Sequence, residues 1–150
     1  MKLILIPILL LPLLLTACDQ APLEPAKCGG VVISTAPSFP SQLEIILSCD
    51  GWLSFVIDNV SEIEFVDVYS FPSSSGETIV GQAFCAECKI RIAVLRLNLP
   101  GAMIRRTDLE IARTIVHEAA HLADNCKNGE EPALEAERAF LEAYNNGDCQ

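Results

Sequence analysis

The two histidines of the chain, His117 and His121, lie four residues apart in the stretch RTIVHEAAHLAD. Residues with this spacing share one face of an α-helix, so both imidazoles can reach a single metal ion. Glu118 lies one step round the helix, where it reaches a water molecule on that ion more easily than the ion itself. This pattern favours a zinc site with an adjacent carboxylate base. The alternative is a helix that carries two unrelated surface histidines.

The segment HEAAH, residues 117–121, resembles the HExxH motif of the zinc metallopeptidases called zincins. Uncharged residues flank it on both sides, as in that family. The resemblance implies that His117 and His121 bind Zn²⁺. It also implies that Glu118 is the catalytic base, which takes a proton from a zinc-activated water and returns it to the leaving amine. We therefore predict a zinc metalloendopeptidase that hydrolyses protein or peptide substrates.

A catalytic zinc usually has three protein ligands, and no third histidine is present. Metzincins are excluded, because Lys127 occupies the position of their third ligand. A later helix instead carries several carboxylates (Glu131, Glu135, Glu137 and Glu142). This arrangement resembles gluzincins, over residues 114–144, and implies a glutamate as third ligand. We predict Glu135, since Ala136 beside it lets two helices approach closely; Glu137 and Glu131 remain alternatives.

The N-terminus has the pattern of a bacterial lipoprotein leader. Lys2 precedes an apolar run over residues 3–15, which is shorter than the roughly 20 apolar residues of a membrane-spanning helix. The tetrapeptide LTAC, ending at Cys18, resembles a lipobox and implies lipidation of Cys18. In that family, Asp19 implies retention at the inner membrane. We predict a signal peptide (1–17), a tether (18–30) and one zincin-like domain (31–150), lipid-anchored outside the cytoplasm at the periplasmic face.

Charge and cysteine content agree with an exported domain. The formal charge is −10, and loss of the leader with Lys2 makes it −11, which argues against nucleic acid or anionic headgroups as partners. Six cysteines besides Cys18 indicate a disulfide framework. We predict a Cys126–Cys149 bond. Zinc or redox chemistry at the Cys85-x-x-Cys88 pair is the alternative.

Periodicity predicts an α+β fold, with an antiparallel or mixed sheet followed by two C-terminal helices and stapled by disulfides. The strand-like segments are residues 43–49, 52–58, 62–70, 78–84 and 89–99. The N-cap of the first helix is Thr107 or Asp108, this helix ends near Asn125, and the second begins at Pro132. In zincins the substrate lies along an edge strand, for which 89–99 is a candidate. Tyr69 and Tyr144 are candidate oxyanion donors.

A second function is compatible with the same sequence. The chain could be a disulfide-rich surface lipoprotein that binds a partner without catalysis. The histidine-bearing helix would then be purely structural.

Overall fold

The computed structural model describes residues 32–33, 40–73 and 76–149. The predicted signal peptide, tether and lipidation site at Cys18 lie outside these residues. The described chain contains four helices: α1 (Pro40–Leu47), α2 (Trp52–Asn59), α3 (Asp108–Ala123) and α4 (Glu131–Asn146). Its strands are β1 (Val32–Ile33), β2 (Glu62–Val66), β3 (Phe71–Pro72), β4 (Thr78–Ile79), β5 (Gly81–Phe84), β6 (Lys89–Ala93), β7 (Leu95–Asn98) and β8 (Ala102–Arg105). The α+β class and the two C-terminal helices are confirmed.

Two of the five predicted strands are wrong, because residues 43–49 and 52–58 lie mostly in helices α1 and α2. Leu43 and Leu47 are both buried and lie four residues apart, as do Val56 and Val60. Short apolar runs fit either period, and here the helical spacing directs these side chains to the core. None of the helices in the described part of the chain has both the length and the apolar composition of a membrane-spanning segment.

The main sheet is mixed and has the order β1-β2-β6-β5. Strands β1, β2 and β6 are parallel, whereas β5 pairs antiparallel with β6 and forms one edge. Ile90 and Ile92 of β6 are fully buried. The prediction of an edge strand over 89–99 is therefore wrong, since β6 is interior and the rest of that run forms the separate β7–β8 hairpin.

Helix α3 forms the centre of the fold, packed between the sheet and α4. Its N-terminus is fixed by a capping box in which the Thr107 hydroxyl accepts from the Glu110 amide and the Glu110 carboxylate accepts from the Thr107 amide. Its buried apolar residues belong to the same core as Phe140 of α4. The helix that carries the histidines is thus held rigidly by the core.

Two disulfides tie distant segments together. They join Cys49 to Cys149 and Cys85 to Cys126, and Cys88 is also disulfide-bonded. The predicted Cys126–Cys149 bond is wrong, because the chain end meets the turn between α1 and α2 rather than the loop after α3. Zinc or redox chemistry between Cys85 and Cys88 is likewise wrong, since Cys85 is bonded elsewhere.

Candidate metal centre and active site

Helix α3 presents His117 and His121 one turn apart on the same side, with ring centroids 5.0 Å apart. Both side chains are half-buried and line a cleft of about 400 Å³. The spacing of four residues therefore has the consequence expected from helix geometry.

Glu130, the N-cap residue of α4, completes a group of three possible metal ligands. Its Oε2 atom lies 3.2 Å from Nε2 of His117 and 3.5 Å from Nε2 of His121. Ligand atoms bound tetrahedrally to zinc at about 2.0–2.1 Å lie roughly 3.3 Å from one another. The spacing between the glutamate and each histidine therefore fits a zinc ion.

The structure does not bring Glu135 to the histidines. Its side chain is exposed, does not line the cleft and is not in the three-residue group. The prediction looked for the third carboxylate inside the second helix, whereas Glu130 immediately precedes that helix. The alternative Glu131 is exposed and also lies outside the group, while the alternative Glu137 contacts His117 from another side.

The loop before α4 determines where Glu130 lies. Asn125, Cys126 and Gly129 all have left-handed backbone conformations, with φ values of 56°, 56° and 70°. The Asp124 carboxylate accepts from the amides of residues 127 and 128, at 3.3 and 3.2 Å. Together with the Cys85–Cys126 bond, these features turn the chain back over the histidines. Gly129 followed by two glutamates was the one local signal in the sequence for such a turn.

Glu137 supports His117 from the opposite side of its ring. Its Oε2 atom lies 3.1 Å from Nδ1 of His117, and its Oε1 atom accepts from Nε of Arg113. A carboxylate accepts hydrogen bonds, and the tautomer of His117 with its hydrogen on Nδ1 satisfies this contact. The lone pair of Nε2 then faces the Glu130 carboxylate, and two acceptors at this distance require a shared cation or proton. This donor set fits zinc.

Glu118 lies on the apolar side of α3, where the stripe Ile111, Ile115 and Leu122 would predict another apolar residue. The side chain is only 7% exposed. Burial, with a smaller contribution from the nearby Glu130 carboxylate, raises the pKa of Glu118 to about 8. This is the only buried charged side chain among the described residues.

Gly81 of β5 makes room for the Glu118 carboxyl group. A Cβ atom built at Gly81 would lie 2.6 Å from Cγ and 2.7 Å from Cδ of Glu118, and closer still to Oε1. No side chain larger than hydrogen fits there without displacing the carboxyl group. The edge strand and the helix therefore meet at the residue predicted to be the catalytic base.

The cleft is bounded by α3, by the segment from β4 to β5 and by the residues around Glu130. Arg106 and Arg113 also line it. Neither of the predicted oxyanion donors, Tyr69 and Tyr144, lines the cleft. Comparisons of the chain with protein-family models, curated proteins and solved structures found no match.

Proposed function

We propose that the chain is a zinc-dependent metallopeptidase that hydrolyses peptide bonds outside the cytoplasm, anchored to the membrane through lipidated Cys18. The observation that carries this proposal is the convergence of His117, His121 and Glu130 beside the buried carboxyl group of Glu118. The disulfides support an oxidising compartment.

His117, His121 and Glu130 would hold the metal, through two imidazole nitrogens and one carboxylate oxygen. When bound, Zn²⁺ supplies Lewis-acid activation of water and of a substrate carbonyl. Three protein ligands leave room for these molecules, as catalytic zinc sites require. Glu137 and Arg113 keep the hydrogen of His117 on Nδ1 and leave Nε2 for the metal.

Glu118 serves as the proton carrier. In the metal-free protein burial raises the pKa of its carboxyl group to about 8, and a Zn²⁺ ion on the neighbouring histidines would favour the ionised form that accepts a proton. Its burial against Gly81 fixes the carboxyl group within the cleft that holds the histidines. The same residue can therefore accept a proton from the attacking water and donate it to the leaving amine.

Strand β5 offers a main-chain edge for an extended substrate. Val80 accepts a backbone hydrogen bond from Ala93, at 2.8 Å, so the backbone of Val80 faces β6. Alternation along an antiparallel strand then directs the N–H and C=O of Gly81 away from β6. A peptide in the cleft can pair with this edge, as in β-strand addition.

The test is zinc content and peptidase activity of the purified protein with intact disulfides. We expect about one zinc per chain, lost in H117A and E130Q but retained in the matched control E135Q. E118Q should keep the zinc and lose at least a hundredfold in peptide turnover.

Protein without zinc after equilibration with the metal would contradict the proposal at its base. If the protein binds one zinc per chain but shows no turnover of casein or peptide libraries that E118Q abolishes, the function that remains is that of a non-catalytic surface lipoprotein. In that case, partner binding should be unchanged by E118Q.

A further inference from the structure

Arg106, the residue before the N-cap of α3, lines the cleft without an acidic partner of its own. The other arginine in the cleft, Arg113, donates to Glu137. In the described part of the chain, no carboxylate lies within ion-pair distance of Arg106. One of the two arginine charges in the cleft is therefore available to a ligand.

Glu110 also lines the cleft, and its negative charge acts on Arg106. Both of its carboxylate oxygens are engaged elsewhere, since Oε1 contacts Arg96 at 3.0 Å and Oε2 accepts from the Thr107 amide at 2.7 Å. The second contact belongs to the capping box of α3, so Glu110 cannot turn toward Arg106 without opening the first turn of the helix.

The guanidinium group of Arg106 is held in place and keeps unused donors. Its Nη2 atom donates to the Tyr69 carbonyl at 3.1 Å, and its backbone amide donates to the Val94 carbonyl at 2.8 Å. A guanidinium group has five donor hydrogens, so this one side-chain contact leaves four. The donor is thus oriented before any ligand arrives, which lowers the entropic cost of binding.

The charge of Arg106 is also poorly compensated by comparison with other arginines. Its Nε atom is buried without a hydrogen-bond partner, as is Nε of Arg91 and of Arg96. Those two arginines form ion pairs with glutamates, at 3.3 and 3.0 Å, whereas Arg106 forms none in the described chain. Burial lowers the pKa of the Arg106 guanidinium, which shows that its surroundings disfavour the charge when the cleft holds no anion.

Arg106 lies toward one end of the cleft, away from the proposed metal ligands. Gly81 of β5 lies against Glu118 of α3, and a disulfide joins the residues that follow these two elements. Strand β5 and helix α3 therefore run in the same direction. Thr78, which precedes Gly81 and lines the cleft, lies toward the start of α3, where Arg106 precedes the helix.

Two lengths place this end about three substrate residues from the metal site. Glu110 precedes His117 by seven residues, which is about 10 Å along a helix axis. Thr78 precedes Gly81 by three residues, which is also about 10 Å along an extended chain. A peptide that pairs with the β5 edge advances by about 3.3 Å per residue. Its third residue from the scissile bond would therefore come within reach of Arg106.

We infer that Arg106 is a specificity-determining residue that binds a carboxylate of the substrate about three residues from the scissile bond. Arginine can bind a carboxylate through two parallel hydrogen bonds, which an uncharged amide does not reproduce. The carboxylate belongs to an aspartate or glutamate side chain or to the C-terminus of the peptide. This inference rests on the proposed peptidase function and adds a substrate class to it, that of peptides with an acidic group at this distance.

The first measurement is cleavage of a random peptide library by the zinc-loaded protein with intact disulfides, with the cleaved bonds mapped by mass spectrometry. We expect acidic side chains or free C-termini to be enriched about three residues from the cleaved bonds, on one side. Cleaved peptides are then resynthesised with glutamine in place of glutamate, or with an amidated C-terminus, to distinguish the two sources. Loss of the recognised carboxylate should lower kcat/KM about 10–100-fold, the effect of a hydrogen bond to a charged group.

The R106Q variant should lose this discrimination. It should cleave the carboxylate peptide and its amide counterpart within about twofold of each other, because neither one meets a cation at this position. R106K, which retains the charge but not the planar fork, should restore part of the preference. R138Q, which removes an exposed arginine of α4 outside the cleft, is the matched control and should discriminate like the parent. Equal cleavage of both peptides by the parent would overturn the inference and leave the peptidase proposal standing.

A binding measurement separates this inference from the fate of the peptidase proposal. In ¹⁵N-labelled E118Q protein, the Nε–H resonance of Arg106 is assigned by its absence when R106Q is added. Blocked alanine hexapeptides that contain one glutamate should shift this resonance, whereas those with one glutamine should not; hexaalanine with a free C-terminus tests the other source. If the protein cleaves no peptide, a shift that depends on a carboxylate still supports the subsite. The same response to all of these peptides, or no response, would refute it.

Discussion

Replacing Gly81 by alanine should abolish the proposed peptidase activity without preventing zinc binding. The added Cβ atom would lie 2.6 Å from Cγ of Glu118, whereas ordinary van der Waals contact begins at 3.4 Å. The carboxyl group must therefore move by about 1 Å, because neither the edge strand nor the helix can separate without disturbing the core. The three proposed ligands are not displaced, so zinc binding should remain.

Two magnitudes follow from this overlap. A displacement of about 1 Å at a catalytic group reduces the rate roughly a hundredfold, so kcat/KM of G81A should fall by at least that factor. Inserting one methyl group into a packed site costs about 1–3 kcal/mol, so the free energy of unfolding should fall by a similar amount. Both effects arise from one contact, so the effect on stability should disappear when the Glu118 side chain is truncated.

A double-mutant cycle with E118A measures this dependence. Truncation of Glu118 removes Cγ, Cδ and Oε1, so adding G81A to E118A should change the free energy of unfolding by less than about 0.5 kcal/mol. Denaturant unfolding of the zinc-free proteins gives the stabilities, and peptide turnover at saturating zinc gives the activities. If G81A alone retains wild-type turnover and stability, the close approach of β5 to Glu118 is wrong.

Three further results are expected. In the metal-free protein, Glu118 has a raised pKa of about 8 in the folded state and a pKa near 4.5 in the unfolded state, so the folded state binds the proton more tightly. The free energy of unfolding should therefore fall by up to about 5 kcal/mol as the pH rises from 4.5 to 8, measured by urea unfolding with chelator. The E118Q variant should show a flatter profile. E137Q should weaken zinc binding about 10–100-fold in competition titrations, because an amide no longer requires the hydrogen on Nδ1 of the neighbouring ring, while the exposed control E142Q should bind normally. Replacing both Cys85 and Cys126 by alanine should lower the free energy of unfolding by about 4 kcal/mol, the value for a closed loop of this length. The variant should also bind zinc more weakly in the fraction that remains folded. An unchanged zinc affinity would show that the disulfide does not position the loop.

Prediction from the sequence succeeded best for features that depend only on residues close together along the chain. The capping box at Thr107, the apolar stripe of α3 and Pro132 near the start of α4 are local, and the two helices begin close to the predicted positions. The spacing of His117 and His121 is local as well. For α1 and α2, short apolar runs gave no distinction between helix and strand, and tertiary packing decided the outcome.

The third member of the site could not be predicted in the same way. Glu130 reaches the histidines because three left-handed residues, together with a disulfide to Cys85 just after β5, reverse the chain after α3. A disulfide pairing depends on the whole fold, and the sequence spacing of cysteines does not determine it. Glu135 fitted the expected pattern of a carboxylate beside a small residue on a helix. On α4, however, it is Glu137 whose side chain contacts His117 of α3.

The contrast between Glu118 and Glu135 shows which sequence signal was stronger. Glu135 lies among other exposed carboxylates, so its presence required no explanation from burial. Glu118 interrupts an apolar stripe, and its burial carries a desolvation cost. A glycine on the adjacent strand provides the space that its carboxyl group occupies. Glu118 is an ionisable residue at a core position, and it lies opposite Gly81, which has no side chain. This combination links the sequence of the chain most directly to its candidate chemistry.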